Sequence, residues 1–187
     1  MSIHQNKGFI SVNINNELAA YTAVDYLCKK GHTDIIHIAG EKSDLNAGQP
    51  RMQGYIRALK ANGIPVKQDN IYSGSYSFDD GIRNTQDMLA RGKKFSAIFA
   101  ASDTMAIGAL NVLNSNGYKI PEDVSVVGFD DLTIARYASP ALTTIRQPRY
   151  KMGNEGAVML HLLLSGKNVE VQNYILDFEL IIRDSTN

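Results

Sequence analysis

Short apolar runs rich in Ile and Val alternate with amphipathic stretches of helical period along almost the whole chain, and this alternation restricts the fold more than any other feature of the sequence. A run at 9–12 precedes a stretch at 16–30 in which Ala20, Ala23, Val24, Leu27 and Cys28 recur at helical spacing, with Gly31 placed to end the helix. Residues 34–39 read as a buried strand from their β-branched content. A helix should follow, with Pro50 at its first position, Met52, Ile56 and Leu59 on one face, and Gly63 and Pro65 stopping it. The cycle repeats: strand 70–73; helix 79–91, buried through Ile82, Thr85 and Leu89; strand 96–100; helix 104–116, closed by Gly117; strand 124–127. Strand–helix units at this spacing need right-handed crossovers and give a parallel sheet with helices on both faces, so the expected fold is an α/β doubly wound core. The rhythm then changes. A short extended piece at 142–146 leads to Pro148, a helix at 150–164 carries Met152, Val158, Met159, Leu162 and Leu163, and two extended pieces follow near 174–176 and 179–182.

Charge and composition narrow the function. Nineteen basic and nineteen acidic residues cancel, which leaves no electrostatic footprint for nucleic-acid phosphates. One cysteine, Cys28, allows neither a disulfide framework nor a Cys-rich metal site. The first twenty residues lack the apolar core of a signal peptide, and nothing approaches the ~18 apolar residues of a membrane span, so a cytoplasmic chain with no membrane partner is expected. The phosphate-loop, dinucleotide and nucleophile-elbow glycine motifs are all missing. His32 and His37 do not have metal-ligand spacing, His37 reads as core, and His4 and His161 have no companions. With no nucleophile–base pair, no metal set and no cofactor motif, the chain reads as a binding module and not an enzyme.

In open parallel sheets ligands bind beyond the carboxyl ends of the strands. The residues there are 40–51, Gly74, Ser75 and Tyr76, then Ser102 and Asp103, then Gly128, Phe129, Asp130 and Asp131. Carboxylates, a hydroxyl, an aromatic and an arginine together suit a polyhydroxylated small molecule, a sugar or through Arg51 a sugar phosphate, which needs bidentate partners for vicinal hydroxyls and an apolar face to stack on. Several have a plainer role open to them. Asp103 taken alone reads as a helix cap or first-turn carboxylate, a role worth about 0.5–2 kcal/mol, and Ser102 is equally well a cap. Tyr76 reads as a half-buried loop aromatic as readily as a ligand wall. Asp130 and Asp131 read either as a solvated turn or as a functional pair. Arg51 points more firmly to function, because a cation in a first helical turn opposes the helix dipole by about 0.3–1 kcal/mol unless a partner offsets it.

The segments Val124-Ser-Val-Val-Gly-Phe-Asp-Asp131, Tyr137-Ala-Ser-Pro140 and Leu142-Thr-Thr-Ile-Arg-Gln-Pro148 resemble the LacI/GalR family of bacterial transcriptional repressors. Gly31-His32, Ile36 to Gly40, Arg51-Met-Gln-Gly-Tyr55, Ala100 to Gly108 and Leu180 to Thr186 resemble it too, in order along nearly the whole chain from Phe9. The resemblance implies a periplasmic-binding-protein-like effector region of two subdomains around a cleft. By motif position it makes Arg51, Asp130 and Gln147 ligands of the effector's polar groups and Tyr76 a stacking aromatic. Ser102 stands where the family commonly has Asn before Asp103, and both are carried as ligand-site candidates. It further implies a homodimer, with 132–142 and the helix face of Met105, Ala109 and Leu110 as interface candidates alongside Tyr137 and Pro140. Operator DNA would be reached only through an N-terminal helix-turn-helix that this sequence lacks. The expected division is 1–15 as a remnant of the N-terminal subdomain, 16–147 as the C-terminal effector-binding subdomain, and 148–187 as a crossover helix and strands completing both. The helix near 150–164 should then show an uncovered apolar stripe, and a half-cleft should bind effector weakly. A transport-type sugar-binding protein, a small hydrolase and a truncated dimerising partner are the rival readings.

Overall fold

The computed structural model describes residues 10–167 and 173–187; Phe9 and the rest of 1–9, and 168–172, lie outside them. Eight strands and six helices follow the expected alternation. They are β1 (Ser11–Ile14), α1 (Asn16–Lys29), β2 (Ile35–Ala39), α2 (Gly48–Ala61), β3 (Ile71–Ser73), α3 (Phe78–Ala90), β4 (Ala97–Ala100), α4 (Asp103–Ser115), β5 (Ser125–Asp130), α5 (Thr133–Tyr137), β6 (Thr143–Arg146), α6 (Arg149–Leu164), β7 (Asn173–Leu176) and β8 (Glu179–Ile181). The main sheet runs β3-β2-β4-β5-β6-β8, parallel through β6, with β8 antiparallel at the edge; β1 and β7 form a separate parallel pair. The two terminal strands thus go to different sheets.

Alternation along each strand sorts the core into two layers. Ile35, Ala97, Phe99, Val127 and Phe129 meet Ala20, Ala23, Val24 and Leu27 of α1 and Tyr55, Ala58 and Leu59 of α2 on one face. Ile36, Ile38, Ile98, Ala100 and Val126 meet Met88 of α3 and Met105, Ala109, Leu110 and Leu113 of α4 on the other. At the amino edge His32 bridges two strands, bonding Ser96 Oγ at 2.9 Å and Ser125 Oγ at 3.1 Å. His37 sits mid-sheet as expected, stacked on Tyr55 and Phe99, and burial takes its imidazole down to about 4, so it is neutral.

Three expectations need correction. Helix α2 begins at Gly48, two residues before Pro50. Helix α3 is buried through Gly81, Asn84, Thr85 and Met88, while Ile82 and Leu89 are only half-buried. The cause is a close crossing: a Cβ at Gly81 would stand 2.2 Å from the Met105 carbonyl oxygen, and one at Gly108 2.3 Å from that of Phe78, so α3 turns its small-residue side to α4. Met105, Ala109 and Leu110, expected on an outer interface, are buried in that second core layer. The other interface candidate, 132–142, contains the short helix α5, on which Tyr137 is 82% exposed and Ile134 is also exposed, with Pro140 half-buried beyond it.

Helix α6 carries the expected uncovered stripe. Only Met159 is buried; Met152 and Leu162 are half-buried, and Val158 and Leu163 are exposed along with Leu160 at 57% and Leu164 at 80%. Contiguous apolar exposure of this kind favours association. Changing Leu160 and Leu164 together to Lys should leave urea stability within about 0.5 kcal/mol, as for other exposed sites, while reducing concentration-dependent light scattering. A large loss of stability would show that the stripe is covered by the chain itself.

Candidate functional site

The strand order reverses between β2 and β4, since β3 lies outward of β2 and β4 returns on its other side, so a crevice opens at their carboxyl ends. Arg51, the fourth residue of α2, reaches into this crevice and is buried. Its Nε donates to Asn16 Oδ1 at 2.9 Å and one terminal nitrogen donates to the Ala101 carbonyl at 2.6 Å. The other stands 4.0 Å from Asp130 Oδ1, and the guanidinium carbon lies 3.6 Å from the centroid of the Phe129 ring. Burial pulls this guanidinium below its ordinary range, and Asp130, Tyr76, Asp44 and Asp103 oppose the shift. Asn16 also donates to the Asn46 carbonyl at 2.9 Å, tying the start of α1 to the loop before α2.

Asp130 and Asp131 follow one another with φ of +121° and +50°, and their side chains part. Asp130 remains partly accessible and accepts from Gln147 Nε2 at 2.5 Å. Burial raises its carboxyl, against the pull of Arg51 and Gln147. Asp131 is buried under Arg183 at 2.5 Å, Arg146 at 2.7 Å and Arg136 at 3.8 Å, and its carbonyl accepts from Arg149. It ties the end of β5 to β6 and the C-terminal tail. Two consecutive non-glycine residues at positive φ are unusual, and strain of this sort concentrates at functional sites.

On the loop after β3 Tyr76 has φ +66°, and its hydroxyl donates to Asp44 Oδ2 at 2.6 Å. Burial and the Asp44 carboxylate push the phenol upward. The ring lies against Gly40, where a Cβ would come within 2.2 Å of the phenol oxygen. The structure therefore brings Arg51 on α2, Tyr76 after β3, Asp130 at the end of β5 and Gln147 after β6 to one edge of the sheet. Ser102 and Asp103 sit behind them. Ser102 caps α4, its Oγ accepting from Met105 N at 3.2 Å. Asp103 is fully buried; one oxygen accepts from Thr144 Oγ1 and the other from Leu132 N at 2.7 Å, so its carboxylate is occupied within the protein. The missing side chain at Gly128 makes room for it, since a Cβ there would meet Asp103 Oδ1 at 2.4 Å. Sequence reasoning did not single out Asn16, Phe129 or Asp44. Phe129 and Asp44 lay within strand-end segments already marked, while Asn16 carried no signal of its own.

Chemically, the groups gathered at this edge are a buried charged donor, a partly accessible carboxylate, an amide and an aromatic ring, which match vicinal hydroxyls and a ring face. Among the described residues no group of three His, Cys, Asp or Glu side chains could hold a metal ion, and no helix is long and apolar enough to cross a membrane.

A family described as "periplasmic binding protein-like domain" matches residues 24–186. The HTH-type transcriptional repressor CytR of Escherichia coli K12 is 40% identical over 176 residues, which is 94% of this chain and 51% of that protein. A structure of a transcriptional regulator CelR–cellobiose complex superposes with a TM-score of 0.91 at 36% identity, over 98% of this chain and 56% of that one. The transcription regulator CcpA of Lactococcus lactis gives a TM-score of 0.93 at 32% identity, over the whole of this chain and 68% of that one. The chain spans about half the length of the curated relatives it matches.

Burial pushes the Asp103 carboxyl up to about 6, against the bonds from Thr144 and Leu132. A carboxyl raised on folding stabilises below its unfolded value and loses that contribution as pH rises through its folded value. Denaturant titrations should show the advantage of the natural protein over Asp103→Asn shrinking between about pH 4 and 7, on the order of 2–3 kcal/mol. A gap independent of pH would mean that Asp103 does not titrate there.

Proposed function

The chain belongs to the periplasmic binding protein-like domain family, as the effector-binding region of a LacI/GalR-type regulator, and from this premise we propose that it binds a neutral, sugar-like effector and relays its presence to transcription. The observation that carries the reading is the buried Arg51 guanidinium presented with Asp130 and Gln147 at the crevice. Two of its nitrogens are spent on Asn16 and Ala101, and Asp130 offsets the charge, so the site offers polar pairing without net positive field. Asp44 and Asp130 would repel a phosphate. A solved relative described as a cellobiose complex supports the sugar class. Relatives named as HTH-type regulators support an operator-DNA partner reached through a separate DNA-binding part.

Effector would act by binding one arrangement of the regulator more tightly than another, the condition for any ligand-driven switch. Homodimerisation enters the same reading through the exposed Tyr137 and Ile134 of α5, with the half-buried Pro140 beyond them, a surface that suits a partner. We assign 16–147 to the effector-binding subdomain, 1–15 to the other subdomain, and 148–187 to both.

Isothermal titration of the chain with millimolar cellobiose, glucose and glucose 6-phosphate tests the assignment. Neutral sugar should bind and its phosphate should bind more weakly. Asp130→Ala should weaken neutral-sugar binding by about ten- to hundredfold, the worth of a hydrogen bond to a charged group. Binding that favours the phosphate, no binding of any of the three, or binding indifferent to Asp130→Ala would overturn it.

A further inference from the structure

One wall of the crevice is built by two loops of different strand–helix units, 40–47, which leads into the helix of Arg51, and 74–77, which carries Tyr76. Asp44 joins them. Its Oδ1 accepts from the backbone of Asn46 at 3.0 Å and Ala47 at 3.1 Å, closing the turn from which α2 starts, while its Oδ2 accepts the Tyr76 hydroxyl. Burial would raise its carboxyl, but the Tyr76 hydroxyl and the backbone N–H groups hold it below the ordinary range, so it stays an anionic acceptor. Tyr76 in turn needs holding, because positive φ is a conformation that a bulky residue keeps only when its surroundings fix it. From behind, Asp80 fixes the flanking residues: its Oδ2 accepts from Ser75 N, Ser75 Oγ and Ser77 Oγ at 2.6, 2.7 and 2.8 Å. From below, Gly40 leaves space for the phenol.

The geometry points to Asp44 as a positioning residue for the ligand site, one that makes the two loops a single wall and fixes the Tyr76 ring relative to the Arg51 guanidinium. This rests on the crevice being a small-molecule site. Arg51 lies seven residues beyond Asp44, on the helix that follows the turn Asp44 closes, so one carboxylate holds both the approach to that helix and the aromatic of the neighbouring loop. A residue that merely capped α2 would act on that helix alone.

Amide hydrogen exchange on the ligand-free chain separates the two roles. Tyr76→Phe leaves the turn chemistry of Asp44 intact. If the loops form one wall, it should speed exchange at Asn46 and Ala47 as well as at 75–77, by about ten- to hundredfold. Asp44→Asn, which keeps an acceptor for the turn and an amide to pair with the phenol, should retain most protection; Asp44→Ala should lose it in both loops. A Tyr76→Phe effect confined to 74–77 would overturn the proposal. With cellobiose as the probe, Tyr76→Phe and Asp44→Ala should each weaken binding, and the double variant no more than the stronger single one; additive losses would also overturn it. A natural chain that binds no sugar would refute the reading of the site, and the exchange comparison would still decide whether the wall is one unit.

Discussion

A guanidinium buried at the carboxyl edge of a parallel sheet must find its partners inside the protein, and Arg51 finds them on three other strand–helix connections. Asn16 lies at the start of α1, the Ala101 carbonyl between β4 and α4, and Asp130 with Phe129 at the end of β5. Removing a charge from water costs several kcal/mol unless it is paired and hydrogen-bonded. Each of these loops is therefore constrained by the same group, and displacing any one of them would strand a nitrogen or an oxygen. The aromatic face of Phe129 completes the arrangement, since a guanidinium over a ring gains the quadrupole attraction that a hydrated lysine would use less well.

The divergence of Asp130 and Asp131 has a related physical logic. Successive residues of an extended strand point to opposite sides, and the change to positive φ at both positions takes the chain out of that pattern as β5 ends. One carboxylate turns to Arg51 and Gln147, where it stays partly accessible. The next turns to Arg146, Arg183 and Arg136, where burial alone would raise it but the bonds from Arg146 and Arg183 take it below the ordinary carboxylate range. The second anchor holds the strained backbone that presents the first. The C-terminal tail also ties the same two strands at their other end: Ser185 bonds both Val126 and the backbone of Thr143, and Thr186 bonds Thr143, so β5 and β6 are held together at their amino ends, away from the crevice.

Most of the architecture was legible because buried parallel strands and their covering helices leave strong periodic marks. Helix α1 and β2, for example, lie within a residue of their expected bounds. What failed depended on contacts distant in sequence. The buried side of α3 follows from Gly81 meeting Gly108, a pairing no local period encodes. Met105, Ala109 and Leu110 are apolar enough for an interface or a core, and only the position of α3 decides for the core. The antiparallel direction of β8 was equally invisible, since strand polarity leaves no mark on composition. At the site, Arg51 betrayed itself by opposing the helix dipole, whereas Asp44 resembled any loop aspartate until Tyr76, thirty-two residues away, came to rest on it. Asp103 reads as a helix-start carboxylate from its neighbours, and its burial beneath Leu132 and Thr144 is what sets it behind the accessible side chains.

A wall assembled without its ligand bears on how such a site works. Arg51, Gln147, Asp130 and Tyr76 already have their orientations fixed by protein partners, so little side-chain freedom remains to be lost on binding, and the ordering cost of about 0.5–1.5 kcal/mol for each immobilised side chain is largely avoided. A rigid wall also presents the same face in every arrangement of the surrounding protein. Under the regulatory reading proposed above, a ligand shifts an equilibrium only by its differential affinity for two states. The difference must then come from what closes over this wall, because the wall itself changes little. The exposed apolar stripe of α6 and the separate β1–β7 pair lie outside the sheet that builds the wall, so the groups that recognise the ligand are set by the main sheet and its connections.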